Sequence, residues 1–521
     1  MSYLRPLFAL SLAAVVAGCG SSDDLGAEAG NTPGAGGTKG SCVGCDGPKD
    51  PQPFENDLSR GSGGAGGLGG AGPGGGAGGG PQSLPAACNN LPQSPRPFTT
   101  ASADSNGWAS ATWAREQLQQ PASPVPVGVR TQDFLNYYFV DLTSGNSTPA
   151  SGSNAPIVSI QLAPSPNVPK LYNLMVALQA PTMPRSPRWV SVVVDTRSSM
   201  GAVAIERAQA SLVALASSLD QGDHVDLLTT DPSSEPVAFD VDQAGAPALK
   251  KLAAALFAGK DEGNLADALT RAYDVAHATP APANASRRLF MISNGPDDPS
   301  TLPTAAIQGN AQQGLLLVSV GTGPALQHGD RTLRAAAKAG RGHYLYVDSA
   351  AEAQRVFDQQ AGEIFGIAFE DVQLEVQVPW YFELLTDESE VTNTASFDEV
   401  DPQNLAAGGH STLLFKLEAC DDSVLAQGDD LSVTVSWRDP SAVERVNHTV
   451  ATTVPKAMAD TTQLDAALAV FSYAEALKTL DSRRLQEALT LTNAGLAKQP
   501  GDAHLTEIAA LIAKHPALEL P

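Results

Sequence analysis

Residues 188–201 read RWVSVVVDTRSSMG and lead into a stretch rich in Ala and Leu. The run 190–194 is rich in valine and too short for a helix, whereas apolar residues recur at helical spacing between residues 208 and 219. This pattern predicts a buried parallel strand that is followed by a helix. Asp195 then stands at the carboxyl end of the strand. Ligands of open α/β sheets bind outside the carboxyl strand ends, so the loop 195–200 is the predicted place for a site.

The succession of strand and helix continues along the chain. Further strands are predicted at residues 224–230, 288–293, 315–320 and 343–347, and further helices at residues 246–257, 265–277, 304–313, 331–339 and 350–365. This alternation predicts one doubly wound (Rossmann-like) α/β domain over residues 188–365.

The segments on either side of this domain have a different apolar pattern. Apolar and polar residues alternate there, which predicts antiparallel strands with one solvated face. The predicted strands are residues 157–162 and 171–178 before the domain, and 372–378, 412–417, 431–437 and 446–454 after it. The termini of such an α/β domain lie close together, so it can be inserted into another domain. We therefore expect one antiparallel β-sandwich that carries the α/β domain as an insertion.

Helical patterns occur near both ends of the ordered part. Two short helices are predicted at residues 108–119 and 131–139, and amphipathic segments at 464–480, 482–498 and 502–514 predict a C-terminal helical region. The predicted organisation is a signal peptide (1–18), a tether (19–87), an N-terminal region of helices and strands (88–187), the α/β domain (188–365), sandwich strands (366–456) and the C-terminal helices (457–521).

Residues 1–18 have the features of a bacterial lipoprotein signal peptide. They combine Arg5, an apolar run at residues 7–16 and small residues before Cys19. The run is well under the roughly 20 residues that span a bilayer, so it does not predict a membrane helix. We expect a lipid on Cys19 that anchors the chain in the cell envelope. Gly20, rather than Asp, follows Cys19, and resemblance to other lipoproteins then favours the outer membrane, on its periplasmic or surface face.

Residues 19–87 are rich in glycine, with 22 of the 48 Gly falling between Gly26 and Gly80. They contain almost no large apolar residues and cannot bury a core, so we predict a disordered tether. The whole chain has a net charge of −24, which disfavours nucleic acid and anionic lipid as partners.

The chain has five cysteines, and lipidation of Cys19 would leave an even number. Cys42 and Cys45 form a lone Cys-x-x-Cys in the tether with no second pair, which favours a local disulfide over a zinc site. By elimination Cys88 would pair with Cys420, closing the ordered part of the chain in an oxidising compartment.

The loop after the first strand resembles the first motif of von Willebrand factor type A domains, Asp-x-Ser-x-Ser. Those domains use it to hold a divalent cation at the metal-ion-dependent adhesion site. Asp195 and Ser199 match the outer positions, whereas Arg197 stands at the middle Ser. Gly263 stands at the position of the family's Thr, and Asn294 at that of its second Asp. Three of the five positions therefore lack the expected oxygen or charge.

The flanking regions are similar to those of one family of bacterial lipoproteins with this domain. The resemblance lies in residues 97–104, 130–138, 401–415 and the C-terminal helices, and it covers roughly residues 95–516. It implies an N-terminal region and a C-terminal region of that family around the central domain.

Arg197 brings a permanent positive charge to the place where a cation would bind. Two unit charges about 4 Å apart interact by roughly 4 kcal/mol at an effective dielectric of 20, so Arg197 can neutralise Asp195 and repel a divalent ion. We therefore predict no metal, a degenerate site closed by this ion pair, and a ligand-facing surface at Asp195, Arg197, Ser199 and Asn294. The alternative is Mg²⁺ or Ca²⁺ on replacement ligands from Asp261, Glu262, Asp297 or Asp298.

Catalytic motifs are absent from the sequence of the ordered region. It has no His-Glu-x-x-His, no Walker A loop and no nucleophile elbow, and His410-Ser411 is predicted as a turn before a strand. We predict a protein that is not an enzyme and that binds an unknown protein ligand through the α/β domain, in adhesion or scaffolding. The alternatives are a metal-dependent adhesin and an envelope enzyme with its site between domains.

Overall fold

The computed structural model describes residues 84–102, 107–119, 128–142, 155–166, 168–259, 263–295, 298–387, 393–394, 403–440 and 442–518. The predicted signal peptide, Cys19, most of the tether and the Cys42/Cys45 pair lie outside these residues. Asp261, Glu262 and Asp297 lie outside them as well.

The strands, in chain order, are β1 Arg96–Ala101, β2 Ile157–Pro164, β3 Leu171–Gln179, β4 Arg188–Val194, β5 His224–Thr229, β6 Val237–Asp240, β7 Ser286–Ser293, β8 Leu315–Gly321, β9 Arg341–Tyr346, β10 Ile367–Val378, β11 Phe382–Asp387, β12 Asn393–Thr394, β13 Gln403–Ala406, β14 His410–Ala419, β15 Asp430–Arg438 and β16 Arg445–Thr453.

The helices, in chain order, are α1 Ala109–Gln119, α2 Thr131–Tyr137, α3 Gly201–Ser217, α4 Pro247–Ala254, α5 Leu265–Ala278, α6 Thr304–Gln312, α7 Asp330–Ala339, α8 Ala350–Gln354, α9 Ala361–Phe365, α10 Val454–Ala457, α11 Thr462–Thr479, α12 Ser482–Lys498 and α13 Ala503–Ala513. A π-helical turn, Arg355–Gln359, separates α8 from α9.

The predicted α/β domain is confirmed. Its sheet has the order β6-β5-β4-β7-β8-β9, and all neighbours are parallel except the edge strand β6. The valine-rich strand β4 lies centrally and is almost wholly buried, because helices cover both faces of a parallel sheet. Two local expectations were wrong: the predicted helix 350–365 is interrupted by the π-helical turn, and His410 begins strand β14 rather than a turn.

The β-sandwich is built from strands on both sides of the α/β domain, as predicted. One sheet has the order β12-β1-β10-β15-β16, with β13 beside β10, and the other has the order β11-β14-β3-β2. The two sheets bury apolar side chains against each other, with the rings of Phe98 and Phe415 5.1 Å apart. Every pairing between these strands is antiparallel, in agreement with the period-two pattern.

The start of the described chain is fastened to this sandwich. Cys88 and Cys420 form a disulfide, with Cα atoms 5.4 Å apart. Leu84 packs against the sandwich core, so the predicted end of the tether at residue 87 lies inside the packed part of the chain.

Partly buried ion pairs link the N-terminal helix α1 to the α/β domain and to the C-terminal helices. The guanidinium of Arg115 on α1 donates to Asp348 (2.8 Å), Glu352 on α8 (3.0 Å) and Glu507 on α13 (3.0 Å). Helix α2 packs on α11, where the rings of Phe134 and Tyr473 lie 5.6 Å apart. No helix in the described ranges is long and apolar enough to cross a membrane.

Candidate functional site

Asp195 lies at the carboxyl edge of the α/β sheet, where the sequence places the site. Its backbone N–H donates to the carbonyl oxygen of Ile292 on β7 (2.8 Å), which continues the pairing of β4 with β7 for one residue. Its side chain is fully buried. The ends of β4, β5 and β7 therefore hold one carboxylate at their meeting point.

The guanidinium of Arg197 closes over this carboxylate. Its Nε donates to Asp195 Oδ1 at 3.0 Å and its Nη2 donates to Oδ2 at 2.7 Å, so both oxygens are engaged in a forked ion pair. The Arg197 backbone N–H, Thr230 Oγ1 and Ser293 Oγ also donate to the carboxylate, at 3.1, 3.4 and 2.8 Å. Five hydrogen bonds thus surround an anion that would otherwise be costly to bury.

Asn294 ties the loop of residues 195–200 to strand β7. Its side-chain N–H donates to the carbonyl oxygen of Ser199 (2.8 Å), and its backbone N–H lies 3.2 Å from the sulfur of Met200. The side-chain oxygen of Asn294 is buried and has no hydrogen-bond partner in the part of the chain that the structure describes. A carboxylate cannot donate, so the amide at residue 294 holds this loop in a way that an Asp would not.

Gly263 is required by the backbone at its position. Its φ is +82°, in the left-handed region that favours glycine, and a Cβ atom there would overlap the carbonyl oxygen of Thr230. At this position the motif has a threonine, whose hydroxyl Gly263 lacks. In the structure no side chain fits at residue 263 while the loop keeps its present path. The contact with Thr230 that excludes a side chain is tertiary and leaves no signal in the sequence.

Of the four carboxylates considered for a replacement cation site, Asp298 lies within the described residues. Asp298 is exposed, and its carboxylate accepts from the backbone N–H of Ser300 at 2.9 Å. That hydrogen bond lowers the pKa of Asp298. The structure, over its described ranges, contains no group of three or more His, Cys, Asp or Glu side chains that could hold a metal.

Exposed apolar side chains lie on three segments near the ion pair: the first turn of α3, the loop after α4 and the turn that follows β8. Val203, Phe257 and Leu326 are 45%, 73% and 66% exposed. Ala258, next to Phe257, packs against the small cluster of Met200, Ala204 and Ile205, and the loop of Leu326 reaches Asn294 through Gly329. Large exposed apolar side chains close together on one edge are a feature of protein-recognition surfaces. Sequence reasoning missed this apolar rim, because exposure depends on the tertiary fold.

A small cavity lies where the N-terminal region, the α/β domain and the sandwich meet. Its lining includes Trp108, His343, Glu363, His410 and Ser411, and its volume is about 20 Å³, which is room for about one water molecule. Burial raises the pKa of Glu363 to about 7 and lowers the pKa of His343 to about 3 and that of His410 to about 4.

This cavity is one place where an enzyme site between domains could lie. The hydroxyl of Ser411 donates to the backbone oxygen of Ser102, so it does not donate to a histidine base. Both ring nitrogens of His410 are buried without a hydrogen-bond partner in the described chain. The space admits no substrate, and the groups do not form a nucleophile–base pair. The arrangement supplies no specific evidence of catalysis.

Because His343 is buried, we expect it to lower the stability of the fold at acidic pH. Its folded pKa of about 3 lies below the value of about 6.5 in an unfolded chain, so the unfolded state binds more protons as the pH falls below 6.5. We expect His343→Gln to reduce the loss of unfolding free energy between pH 7 and pH 5 by about 2 kcal/mol, as measured by denaturant unfolding at both pH values.

His224 provides a control, because its replacement should change the pH dependence of stability in the opposite direction. Its pKa is raised, first by the hydrogen bond with Asp226, so it adds stability at low pH that is lost as the pH rises through the folded pKa. His224→Gln is therefore expected to enlarge the loss between pH 7 and pH 5. Equal pH dependence in the two variants would contradict the assignment of a buried neutral His343.

Comparison with known proteins identifies the α/β domain. The family model of the von Willebrand factor type A domain matches residues 190–359. The chain is 25% identical over 385 residues to the uncharacterized protein YfbK of Escherichia coli (strain K12), an alignment that covers 67% of this chain and 65% of that protein. The chain therefore spans slightly less than two thirds of the length of this relative.

Two solved structures to which the chain has low similarity are named for this domain. A von Willebrand factor type A protein from Catenulispora acidiphila is 15% identical, with a TM-score of 0.42 and coverage of 68% of this chain and 90% of that chain. The ArnB paralog VWA2 from Sulfolobus acidocaldarius is 12% identical, with a TM-score of 0.34 and coverage of 70% and 98%. The α/β domain is a von Willebrand factor type A domain, a kind of domain that typically mediates protein–protein interaction or adhesion.

Proposed function

We propose that this chain is a lipoprotein of the cell envelope whose von Willebrand factor type A domain binds another protein without a bridging metal ion. The observation that carries the proposal is the forked ion pair between Arg197 and Asp195. The guanidinium supplies the positive charge that a divalent cation would otherwise supply to this carboxylate. A protein ligand would then contact the guanidinium of Arg197, which is part of the chain, rather than an exchangeable metal ion.

The surface around the ion pair suits a protein ligand. The side chains of Phe257 and Leu326 project from loops on the edge that holds Arg197, and the Arg197 side chain is itself 11% exposed. Exposed apolar side chains of this size can be buried against a complementary protein surface. The proposed envelope location rests on the sequence around Cys19, and the outer membrane remains the proposed membrane by resemblance.

Metal independence is tested by calorimetry on the full chain. We expect no saturable heat with Mg²⁺ or Ca²⁺ up to millimolar concentration, because the oxygens of Asp195 are already engaged and Mg²⁺ gives up its water reluctantly. A saturable signal that Asp195→Ala abolishes, and that Asp298→Ala leaves in place, would instead establish the metal-dependent adhesin.

Protein binding is tested by surface crosslinking in the native host in the presence of EDTA. A ligand of the rim is expected to be captured by the unaltered chain and lost with Phe257→Asp. The matched control is Val213→Asp, since Val213 is exposed on helix α3 about three turns from the end of the helix that begins beside the site. Capture that requires Mg²⁺, or that both variants affect equally, would contradict recognition by the rim.

A further inference from the structure

The loop between β8 and α7, residues 322–329, lies against the end of β7 that holds the ion-pair site. At its start the backbone N–H of Thr322 donates to the carbonyl oxygen of Ser293 (3.1 Å). At its end the backbone N–H of Gly329 donates to the carbonyl oxygen of Asn294 (2.7 Å). The path of this loop therefore decides where its exposed apolar side chain stands beside the ion pair.

Helix α1 of the N-terminal region holds the middle of this loop. The indole N–H of Trp113 donates to the carbonyl oxygen of Ala325 at 2.9 Å, and both residues are buried. The Trp113 ring also packs edge-on against the ring of His328, with centroids 5.2 Å apart. Between these two contacts lies Leu326, whose side chain is 66% exposed. Trp113 therefore contacts the loop just before and just after the side chain that it presents to solvent.

Glu116, one turn further along α1, reaches the same loop through Arg207 of helix α3. The Arg207 guanidinium donates to the carboxylate of Glu116 at 2.7 and 3.0 Å and to the carbonyl oxygen of Gly323 at 3.1 Å. A forked pair of this kind fixes the direction of the guanidinium as well as its charge. The carbonyl oxygens of Gly323 and Ala325 thus both receive donors that depend on α1, and a buried acceptor that loses its donor is costly.

Helix α1 is itself fastened to the α/β sheet, although it precedes the sandwich strands β2 and β3 in the chain. Gly107 forms a parallel bridge with Tyr344 on β9, and the backbone N–H of Trp108 donates to the carbonyl oxygen of Tyr344 (2.9 Å). The hydroxyl of Thr112 donates to the carbonyl oxygen of Tyr346 (2.9 Å). These bonds make α1 a fixed support for the loop.

We propose that Trp113 is a positioning residue of the protein-recognition surface, through which helix α1 holds the loop 322–329 so that Leu326 is presented beside the ion pair. This inference rests on the proposed function, which is protein binding at the apolar rim. A loop that is held before binding spares the complex the cost of ordering it. Residues 188–365 alone would then be an incomplete recognition unit, because the support of one of its loops lies in the N-terminal region.

Hydrogen exchange of the full chain, followed by mass spectrometry, tests whether Trp113 holds the loop. Trp113→Phe keeps an aromatic ring but removes the N–H donor. Peptides that cover residues 322–329 are expected to exchange at least about tenfold faster, because loss of a typical hydrogen bond eases local opening by about that factor.

The matched control for hydrogen exchange is Trp437→Phe. It removes the indole donor to Asp439 (3.1 Å) from a buried tryptophan of the sandwich, so it should leave exchange of the loop 322–329 unchanged. Unchanged exchange of the loop in Trp113→Phe, or an equal increase in both variants, would overturn the proposal.

Capture of the protein ligand separates a positioning role from a merely structural one. In the crosslinking experiment, at a temperature where both variants are fully folded, Trp113→Phe is expected to reduce capture at least about twofold, and Trp437→Phe is expected to leave it unchanged. The reason is that apparent affinity falls with the fraction of chains whose loop is in the binding position.

Two outcomes of the crosslinking experiment distinguish this inference from the proposed function. Full capture by Trp113→Phe, alongside loss of capture with Phe257→Asp, would overturn the positioning role and leave the proposed function intact. If the unaltered chain captured no protein, the proposed function would be contradicted, and hydrogen exchange alone would decide whether α1 holds the loop.

Discussion

The Arg197→Ser variant is expected to lose about 3 to 5 kcal/mol of unfolding free energy, since removing one partner of a buried ion pair leaves the other charge uncompensated. Asp195 is fully buried, and its two strongest donors come from the Arg197 guanidinium. The remaining donors, from Thr230, Ser293 and the Arg197 backbone, are neutral groups that hold an anion less well. Denaturant unfolding of the full chain measures the loss.

Two further variants show whether this loss of stability comes from the broken ion pair. Arg334→Ser changes an exposed arginine of the same domain, so it should alter stability by no more than about 0.5 kcal/mol. The double variant Asp195→Asn with Arg197→Ser removes both charges, and it should be more stable than Arg197→Ser alone. Mg²⁺ at about 10 mM could also raise the unfolding free energy of Arg197→Ser by about 3 kcal/mol, back to the wild-type value. The remaining ligands would then form a cation site, and the degenerate-site hypothesis would be wrong.

The position of this site could be predicted from the sequence because it depends on local patterns. The valine-rich run before Asp195 and the helical spacing after it indicate a strand and a helix, and the carboxyl end of such a strand is where ligands bind. The ion pair of Arg197 with Asp195 joins residues two apart, so its partners were also visible in the sequence. The alternation of apolar and polar residues before and after the α/β domain likewise indicated a sandwich that carries an inserted domain.

Features that depend on distant residues could not be predicted. The short strands β6, β12 and β13 have too few residues for a periodic pattern, and they form because a neighbouring strand pairs with them. His410 reads as a turn residue beside two glycines, yet its backbone pairs with Gln179 in the sandwich. The cavity between the domains and the exposed position of Phe257 likewise result from packing between segments far apart in the chain.

Gly263 is the clearest case in which a tertiary contact changes the conclusion from the sequence. The motif comparison suggests that Arg197→Ser, Gly263→Thr and Asn294→Asp together restore a cation site. In the structure a side chain at residue 263 would overlap the carbonyl oxygen of Thr230, in a backbone conformation that β-branched residues avoid. The restored motif and the present path of the loop are therefore incompatible.

We expect the triple variant to bind no Mg²⁺ and to be destabilised by more than about 5 kcal/mol. Strain and overpacking at residue 263 cost about 1 to 3 kcal/mol each, and loss of the Arg197 charge adds about 3. Asn294→Asp also removes the donor to the Ser199 carbonyl oxygen and places a carboxylate beside that oxygen. Thermal unfolding with and without Mg²⁺, together with calorimetry, measures both outcomes on the full chain.

The decisive comparison is the double variant Arg197→Ser with Asn294→Asp, which keeps Gly263. It places two carboxylates near two serine hydroxyls with no arginine to neutralise them, so a divalent cation would relieve the repulsion between the anions. We expect Mg²⁺ to raise the unfolding midpoint of this double variant and to leave that of the triple variant unchanged. A triple variant that folds as stably as the double variant and binds Mg²⁺ more tightly would show that the loop at residue 263 adopts a second path, in which a threonine hydroxyl reaches the site. The opposite ranking would show that the backbone path at residue 263, beside the carbonyl oxygen of Thr230, excludes a threonine that could act as a ligand.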